Sequence, residues 1–414
     1  MKVALIDPSL FTAPYDQQLA RGLVTAGCKV VLYSRPRHDY ETWEAHDVEY
    51  QSAFYRVSSG LGQVPRFLTL PMKGVEHVLN MGKLAERLAD EKPDLIHFQW
   101  CPLPLADQML LAKFRQIAPV VLTVHDPQPF NGDPTAALQR LGYRKLLQRF
   151  DRLIVHTRLA FETLVRHGAA PDRIDIIPHG HLPVAGADTL QVADKAGGFQ
   201  EAPQKQDRAV TFVLIGKIKP YKGVDTLIRA VSRMPEEVRE KCRFVVAGKP
   251  YMNVSVLEDL CQERCVEHLF QFEFRYLDDS EMGLLIAGAS ALVFPYREID
   301  ASGVLMMALP FGRPIIASRL GMFETALQHG VHGYLVDPGD EHALASALTD
   351  MVNQGGLREE FGANVARLSQ QQPSWRDIGQ LTLESYRKAL DDRAASAVTD
   401  RKAREFRDRA HTPS

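Results

Sequence analysis

Short apolar runs alternate with helix-period segments over most of the chain, and they do so in two separate sets. The first set has runs at 3–6, 29–33, 95–98, 120–124, 153–156 and 174–177, with helix-like segments at 16–26, 75–89 and 135–150. The second set has runs at 211–216, 243–248, 269–274, 291–295, 314–318 and 333–336, again separated by helical patterns. Such alternation implies βαβ units and a mostly parallel sheet in each half. A length of 414 residues with 45% hydrophobic residues suits two cores rather than one. The expected fold is therefore α/β, with two facing Rossmann-like domains. Ligands of such sheets bind beyond the carboxyl ends of the strands, so the interdomain cleft is the expected site. The expected division is an N-terminal domain at 1–185, a polar Gly/Ala-rich linker at 186–208, a C-terminal domain at 209–371, a closing helix at 372–391 and a charged, frayed tail at 392–414.

Bulk chemistry excludes several classes. Lys+Arg total 49 against Asp+Glu 51, a formal net charge of −2, which argues against a nucleic-acid binder. Five widely spaced cysteines form no disulfide framework and suit a reducing cytoplasm. The opening MKVALIDPSLF reads as a first strand rather than a signal peptide, and no apolar stretch reaches the roughly 18 residues that a membrane span needs.

Two segments carry most of the chemistry. IGKIKPYKG, at 215–223, follows a strand and precedes a helix. Gly216 permits a sharp turn, and Lys217, Lys219 and Lys222 gather where a helix start offers unpaired N–H groups, a trap for a diphosphate. It lacks the spacing of a P-loop, and a lysine-rich turn is also what a solvated surface carries. The second segment is VFPYREIDASGVLMMALPFGRPIIAS, at 293–318. Ser302 is placed to cap a helix, and Gly303 lets a ligand approach the backbone. Val304 and the apolar residues after it also fit a core.

Taken in order, Gly216–Lys217, Lys222–Gly223, the strand ending at Gly248, Pro295–Tyr296, Gly312 to Ala317, Gly321 with Glu324, and the segment 333–340 resemble the retaining glycosyltransferases of family 4, the glycogen-synthase-like group 1 enzymes of the GT-B fold. The resemblance spans nearly all of 205–370. It implies that Gly216, Lys217 (an Arg in most members) and Lys222 hold the donor diphosphate. It implies that Glu298, Asp300, Ser302, Gly303 and Val304 hold the donor sugar, with Glu324 orienting this region. In the N-terminal half, VVLTVHDPQPFNGD delivers His125 and Asp126 to a strand end where the family places a histidine beside the donor sugar. A hydrogen-bonded strand-end histidine is the plainer reading. The chain departs from the family where two glutamates are usual, with Ile299 and Met307 at those positions. The glycine pair after the first strand is also missing, and Asp7, Pro8 and Ser9 stand there. His179 and Gly180 fall where the family changes domain.

The resemblance thus implies transfer of a hexose, with retention, from a UDP- or GDP-linked nucleoside-diphosphate sugar to a glycan, lipid-linked or small-molecule acceptor, with no cofactor and no metal. The alternatives are a catalytically silent nucleotide-sugar-binding or scaffold protein, or another GT-B enzyme such as a nucleotide-sugar epimerase. Cys261, Cys265 and His268 have the spacing of one helix face, which favours core packing over zinc. Asp278 and Asp279 read as helix-start residues. Arg140, Arg144, Lys145 and Arg149, with leucines between, form a basic amphipathic segment. It is either a solvated face or a peripheral contact with the inner face of a membrane.

Overall fold

In the computed structural model of the protein, residues 1–38, 45–59, 66–127, 141–182, 184 and 209–410 are described. The expected linker at 186–208 and Arg140 lie outside them. The chain divides into two units, Met1–Pro178 together with Pro373–Ser414, and His179–Gln372. The PHGH segment lies at the division.

The first unit is built on seven parallel strands: β1 (Lys2–Ile6), β2 (Lys29–Ser34), β3 (Glu49–Ser52), β4 (Leu95–Phe98), β5 (Val120–Val124), β6 (Arg152–Val155) and β7 (Ile174–Ile176), in the order β3-β2-β1-β4-β5-β6-β7. The apolar runs β4, β5 and β6 are buried along their whole length, as strands covered on both faces should be. The sequence reading lacks β3. Its residues EYQS carry no apolar run, because it lies at the sheet edge with a single neighbour and no residue fully buried.

The last helix, Trp375–Ala410, belongs to this unit and packs on the helix Ala13–Thr25. The two backbones touch at a glycine pair. A Cβ on Gly22 would lie 2.1 Å from the Trp375 carbonyl oxygen, and one on Gly379 would lie 2.3 Å from the backbone of Gly22. The helix does not stop at 391 or fray beyond it, as expected from the sequence. It continues through the charged stretch to Ala410. That stretch is rich in Ala and Arg and needs no apolar stripe of its own, because it extends a helix already nucleated and docked.

The second unit has six parallel strands: β8 (Val210–Ile215), β9 (Cys242–Ala247), β10 (Phe270–Glu273), β11 (Ala291–Phe294), β12 (Ile315–Ser318) and β13 (Gly333–Val336). Their order is β10-β9-β8-β11-β12-β13, and all six match expected strands. Phe212, Leu214, Phe244, Val246, Val293 and Ile316 point into its core. In each sheet the winding reverses once, beside β1 and β4 in the first unit and beside β8 and β11 in the second, and the crevice outside such a reversal is where a ligand is received.

Candidate active site

In the second unit the lysine turn lies at this reversal. Gly216 follows β8 with φ +106, and a Cβ there would lie 3.0 Å from both Lys222 Nζ and Val304 Cγ2. A glycine is thus what brings the turn, the lysine and the start of the helix Gly303–Ala308 together. The chain then makes a tight turn at Pro220–Lys222 and enters the helix Val224–Ser232 through Gly223, at φ +67. A Cβ on Gly223 would fall 2.0 Å from the Pro295 carbonyl oxygen, so the turn sits directly on the end of β11.

Lys222 is buried. Its Nζ donates to the Ile215 carbonyl at 3.2 Å and to the Tyr296 hydroxyl at 2.6 Å, so two of its three N–H groups serve the protein. Burial, helped by the charges of Lys217 and Lys219, brings its pKa down to about 7. Lys217 is exposed. Beyond Tyr296, the Arg297 N–H donates to the Tyr221 carbonyl at 2.7 Å, and its guanidinium reaches Asp225 at 2.6 Å and Thr226 at 3.0 Å. Burial pushes the Asp225 carboxyl up, but Arg297 and Arg229 together hold it below its ordinary value.

The loop after β11 is fixed from two sides. Ser302 caps the helix Gly303–Ala308, accepting from Leu305 N–H at 3.2 Å. Asp300 is buried, and its carbonyl accepts from Met322 N–H at 2.7 Å. Gly321, at φ +52, lies so close that a Cβ would stand 2.2 Å from the Ile299 carbonyl oxygen. Glu298 is exposed in this loop, and Glu324 is exposed in the first turn of the helix Gly321–Ala326.

In the first unit, the ends of β1, β4, β5 and β6 carry a polar cluster. His125 follows β5, with Nε2 2.9 Å from Gln99 Oε1 and Nδ1 3.2 Å from His156 Nε2. Its ring stacks on Trp100, centroids 5.4 Å apart, and meets Tyr15 edge-on at 4.7 Å. His156 Nδ1 faces the Ile177 carbonyl at 3.0 Å. Beneath lies buried His97, 2.8 Å from Thr123 Oγ1 and 2.6 Å from the Tyr386 hydroxyl of the last helix. Burial lowers the pKa of His156 to about 4 and that of His97 to about 3, so both are neutral. In place of a glycine pair, the β1 loop holds Asp7, a fully buried carboxyl joined by a side-chain hydrogen bond to Asp16, which is equally buried in the first turn of the helix Ala13–Thr25. Asp7 also accepts from Ser9 N–H at 3.1 Å and Thr12 N–H at 3.2 Å. Burial and the neighbouring Asp7 hold Asp16 well above the usual carboxyl value, so the pair shares one proton.

Comparison with known proteins decides what this scaffold is. Residues 209–354 match the family described as Glycosyl transferases group 1, and residues 16–181 match Glycosyltransferase Family 4. The chain belongs to the group 1 glycosyltransferases of the GT-B type. A D-inositol 3-phosphate glycosyltransferase of Kribbella flavida is 27% identical over 320 residues, covering 73% of each chain. An uncharacterized glycosyltransferase of Methanocaldococcus jannaschii is 24% identical over 406 residues, covering 94% of this chain and 99% of the relative. Among solved structures, Anabaena HepE in complex with UDP and glucose superposes with a TM-score of 0.69 at 17% identity, over 94% of this chain and all of that one, a likeness of fold.

Within the glycosyltransferase, Gly216, Lys222, Ser302 and Val304 converge at one strand reversal, whereas Glu298 and Glu324 stand exposed. Asp126 is half-buried, with its carbonyl 3.4 Å from the Tyr143 hydroxyl. Both nitrogens of His125 already have protein partners, so the expected donation to a sugar hydroxyl requires one partner to give way. The proposed shared helix face of Cys261, Cys265 and His268 is corrected. Cys261 is buried, but the helix ends at Glu263, Cys265 turns out at φ +54, and His268 is exposed against Glu240. Asp278 caps its helix, with Glu281 completing a capping box. Among the described residues no group of three or more His, Cys, Asp or Glu is placed to hold a metal ion. Sequence reasoning missed Gln99, His156, Arg297 and Tyr386, and it took Tyr296 as a motif residue without its bond to Lys222. Gln99 and His156 could have been found by asking which polar residues follow each apolar run, since HFQW and IVHT both end expected strands.

Proposed function

We propose that this glycosyltransferase transfers a hexose, with retention and without a metal, from a nucleoside-diphosphate sugar, UDP- or GDP-linked, to a glycan, lipid-linked or small-molecule acceptor. The observation that carries the reading is the lysine turn itself. A partly desolvated cation at the end of β8, with Lys217 exposed beside it, is suited to stabilise a diphosphate as the glycosidic bond breaks. Gly216 lets Lys222 and the Val304 end of the helix close together there, and Ser302, Gly303, Asp300 and Glu298 supply polar groups for the sugar, with Glu324 orienting the region. His125 and Asp126 serve from the first unit. That HepE was solved with UDP makes uridine the first base to try.

The test is thermal stability of the purified chain with UDP, GDP, ADP, TDP and CMP, each with and without EDTA. A ligand at 100 times its Kd stabilises by about 2.7 kcal/mol, so one diphosphate should raise the Tm, and chelator should not abolish the shift. The shift should shrink in Lys217→Ala. No shift with any nucleotide would overturn the reading. Binding without turnover of any nucleoside-diphosphate sugar would favour a silent nucleotide-sugar-binding protein, which the apolar Ile299 and Met307 would suit.

The acceptor side has a second feature. No described helix is long and apolar enough to cross a membrane. On the first unit, however, Val75 and Leu79 are exposed on the helix Arg66–Glu91 and Leu105 and Met109 on the neighbouring helix Pro104–Ile117, while Leu141, Arg144, Lys145 and Arg149 are exposed in and around the short helix Tyr143–Leu147 that packs on the latter. This face suits peripheral contact with an anionic membrane surface on its cytoplasmic side. Flotation with vesicles containing phosphatidylglycerol should carry the protein upward, and Met109→Glu with Leu141→Glu should abolish it. Equal flotation of the variant would remove the membrane reading.

A further inference from the structure

Proton counting along the strand ends of the first unit fixes the state of one histidine. The Ile177 carbonyl can only accept, so the His156 nitrogen facing it at 3.0 Å, Nδ1, must carry a proton. The ring is buried and neutral, with its pKa at about 4, which leaves His156 Nε2 as a bare lone pair. That lone pair lies 3.2 Å from His125 Nδ1, so the hydrogen between the two rings belongs to His125. The Nδ1 edge of His125 is thereby clamped, through His156, to the backbone that follows β7.

The Nε2 edge is held differently. It faces Gln99 at 2.9 Å, and a carboxamide offers an oxygen that accepts and a nitrogen that donates. Gln99 can therefore match Nε2 with or without a hydrogen by turning its amide. Its own anchoring is weak, because its amide nitrogen lies 3.3 Å from His97 Nε2 and 3.5 Å from His97 Nδ1. Of the two clamps, only this one can change what it offers by turning in place, since the His156 ring is fixed by its bond to the Ile177 carbonyl. Trp100 stacked on one face and the Tyr15 edge against the ring keep the imidazole from tilting while that happens.

We infer that His156 is a positioning residue for the transfer reaction, holding His125 in its Nδ1–H form so that Nε2, on the Gln99 side, is the nitrogen available to substrate, as an acceptor from a sugar hydroxyl rather than the donor expected from the sequence. The inference rests on the reading that His125 serves the donor sugar. It does not depend on which base or sugar is used.

The experiment is side-chain 15N NMR of the full chain labelled at histidine, with His125 assigned by its loss in His125→Gln. The wild type should show His125 as the Nδ1–H tautomer, and His156→Leu should abolish that preference. An Nε2–H tautomer in the wild type, or no change in His156→Leu, overturns the inference whatever the enzyme turns over. With UDP-glucose as probe, His156→Leu should lower kcat roughly tenfold to hundredfold with a much smaller change in KM. His156→Gln, which keeps an acceptor toward His125, should restore most of it, whereas a purely packing role would leave both variants equally impaired. A changed tautomer with unchanged kcat overturns the positioning role. The UDP-induced rise in Tm, measured on every variant, reports the nucleotide site separately, so failure of that reading is not confused with failure of this one.

Discussion

Lys222 Nζ lies 2.6 Å from the Tyr296 hydroxyl, and this bond joins the turn after β8 to the end of β11 at the reversal of the second sheet. The lysine is held there at a cost, since its folded pKa is about 7 against 10.5 for an unperturbed side chain. Between these values the unfolded chain binds the extra proton, so this residue makes stability rise as pH climbs through the window. Urea unfolding at pH about 6 and about 9 should show that rise in the wild type, and Lys222→Met should lack it. A diphosphate beside Lys222 would favour the charged form. Calorimetric titration with UDP at pH about 8, in buffers of different ionisation enthalpy, should therefore show net proton uptake that disappears in Lys222→Met.

Gly223 has no room for a methyl group, because its Cβ would fall 2.0 Å from the Pro295 carbonyl oxygen and its φ is +67. Gly223→Ala should separate the lysine turn from the end of β11. A stability loss of about 1–3 kcal/mol is expected from backbone strain alone, with more from the clash. The Tm and the UDP-induced shift should fall together. Retention of a full shift would mean that this contact does not shape the nucleotide site.

Asp16 keeps its proton when folded and loses it when unfolded above its ordinary value of 3.8. The folded state is then the one with more protons bound, so the stability this group contributes is lost as pH rises from that value through the raised folded pKa. Asp16→Asn keeps a donor toward Asp7 and has no such dependence. It should lose ground to the wild type at pH about 4 and match or exceed it at pH about 8. Asp7→Asn turns one of the two oxygens that each accept a backbone N–H into a donor and should cost about 1–3 kcal/mol at either pH. Chemical denaturation of the three proteins at both pH values checks the pattern.

Tyr386 gives its hydroxyl to His97, a ring kept neutral by full burial. Tyr386→Phe leaves that ring nitrogen without its partner and should cost about 1–3 kcal/mol, read as a lower denaturant midpoint with an unchanged slope. An unchanged midpoint would mean that His97 is satisfied by some other group.

The fold was legible because both sheets are parallel and buried, so that their strands read as apolar runs. The strand that escaped notice, β3, is the edge strand built of EYQS. The last helix was read short because its final turns hold no apolar stripe, a rule for helices that must dock along their whole length. Within the candidate site, the strand–turn–helix grammar pointed to Gly216, Lys217, Lys222, Ser302 and Gly303. It did not reveal that Lys222 is buried, since the partner hydroxyl of Tyr296 comes from 74 residues away. His156 and Gln99 were each a single polar residue after an apolar run. Only the strand order, which sets the ends of β4, β5 and β6 side by side, turns them into a relay around His125. The cysteine pair failed in the opposite sense, because the i, i+4 spacing crosses a helix end that residue periodicity did not mark.

The glycine contact between Gly22 and Gly379 has a consequence for how the molecule is made. The His179–Gln372 unit is continuous in sequence, so a nascent chain can complete it as soon as it emerges. The unit built on residues 1–178 cannot be completed then, for it waits on the helix Trp375–Ala410, which is synthesised after the second unit. Until that helix arrives, the groove over Gly22 stands open and His97 has no tyrosine to meet. The half of the protein that is translated first is thus the half that matures last, and a released chain truncated before Trp375 would have a finished second domain and an unfinished first one.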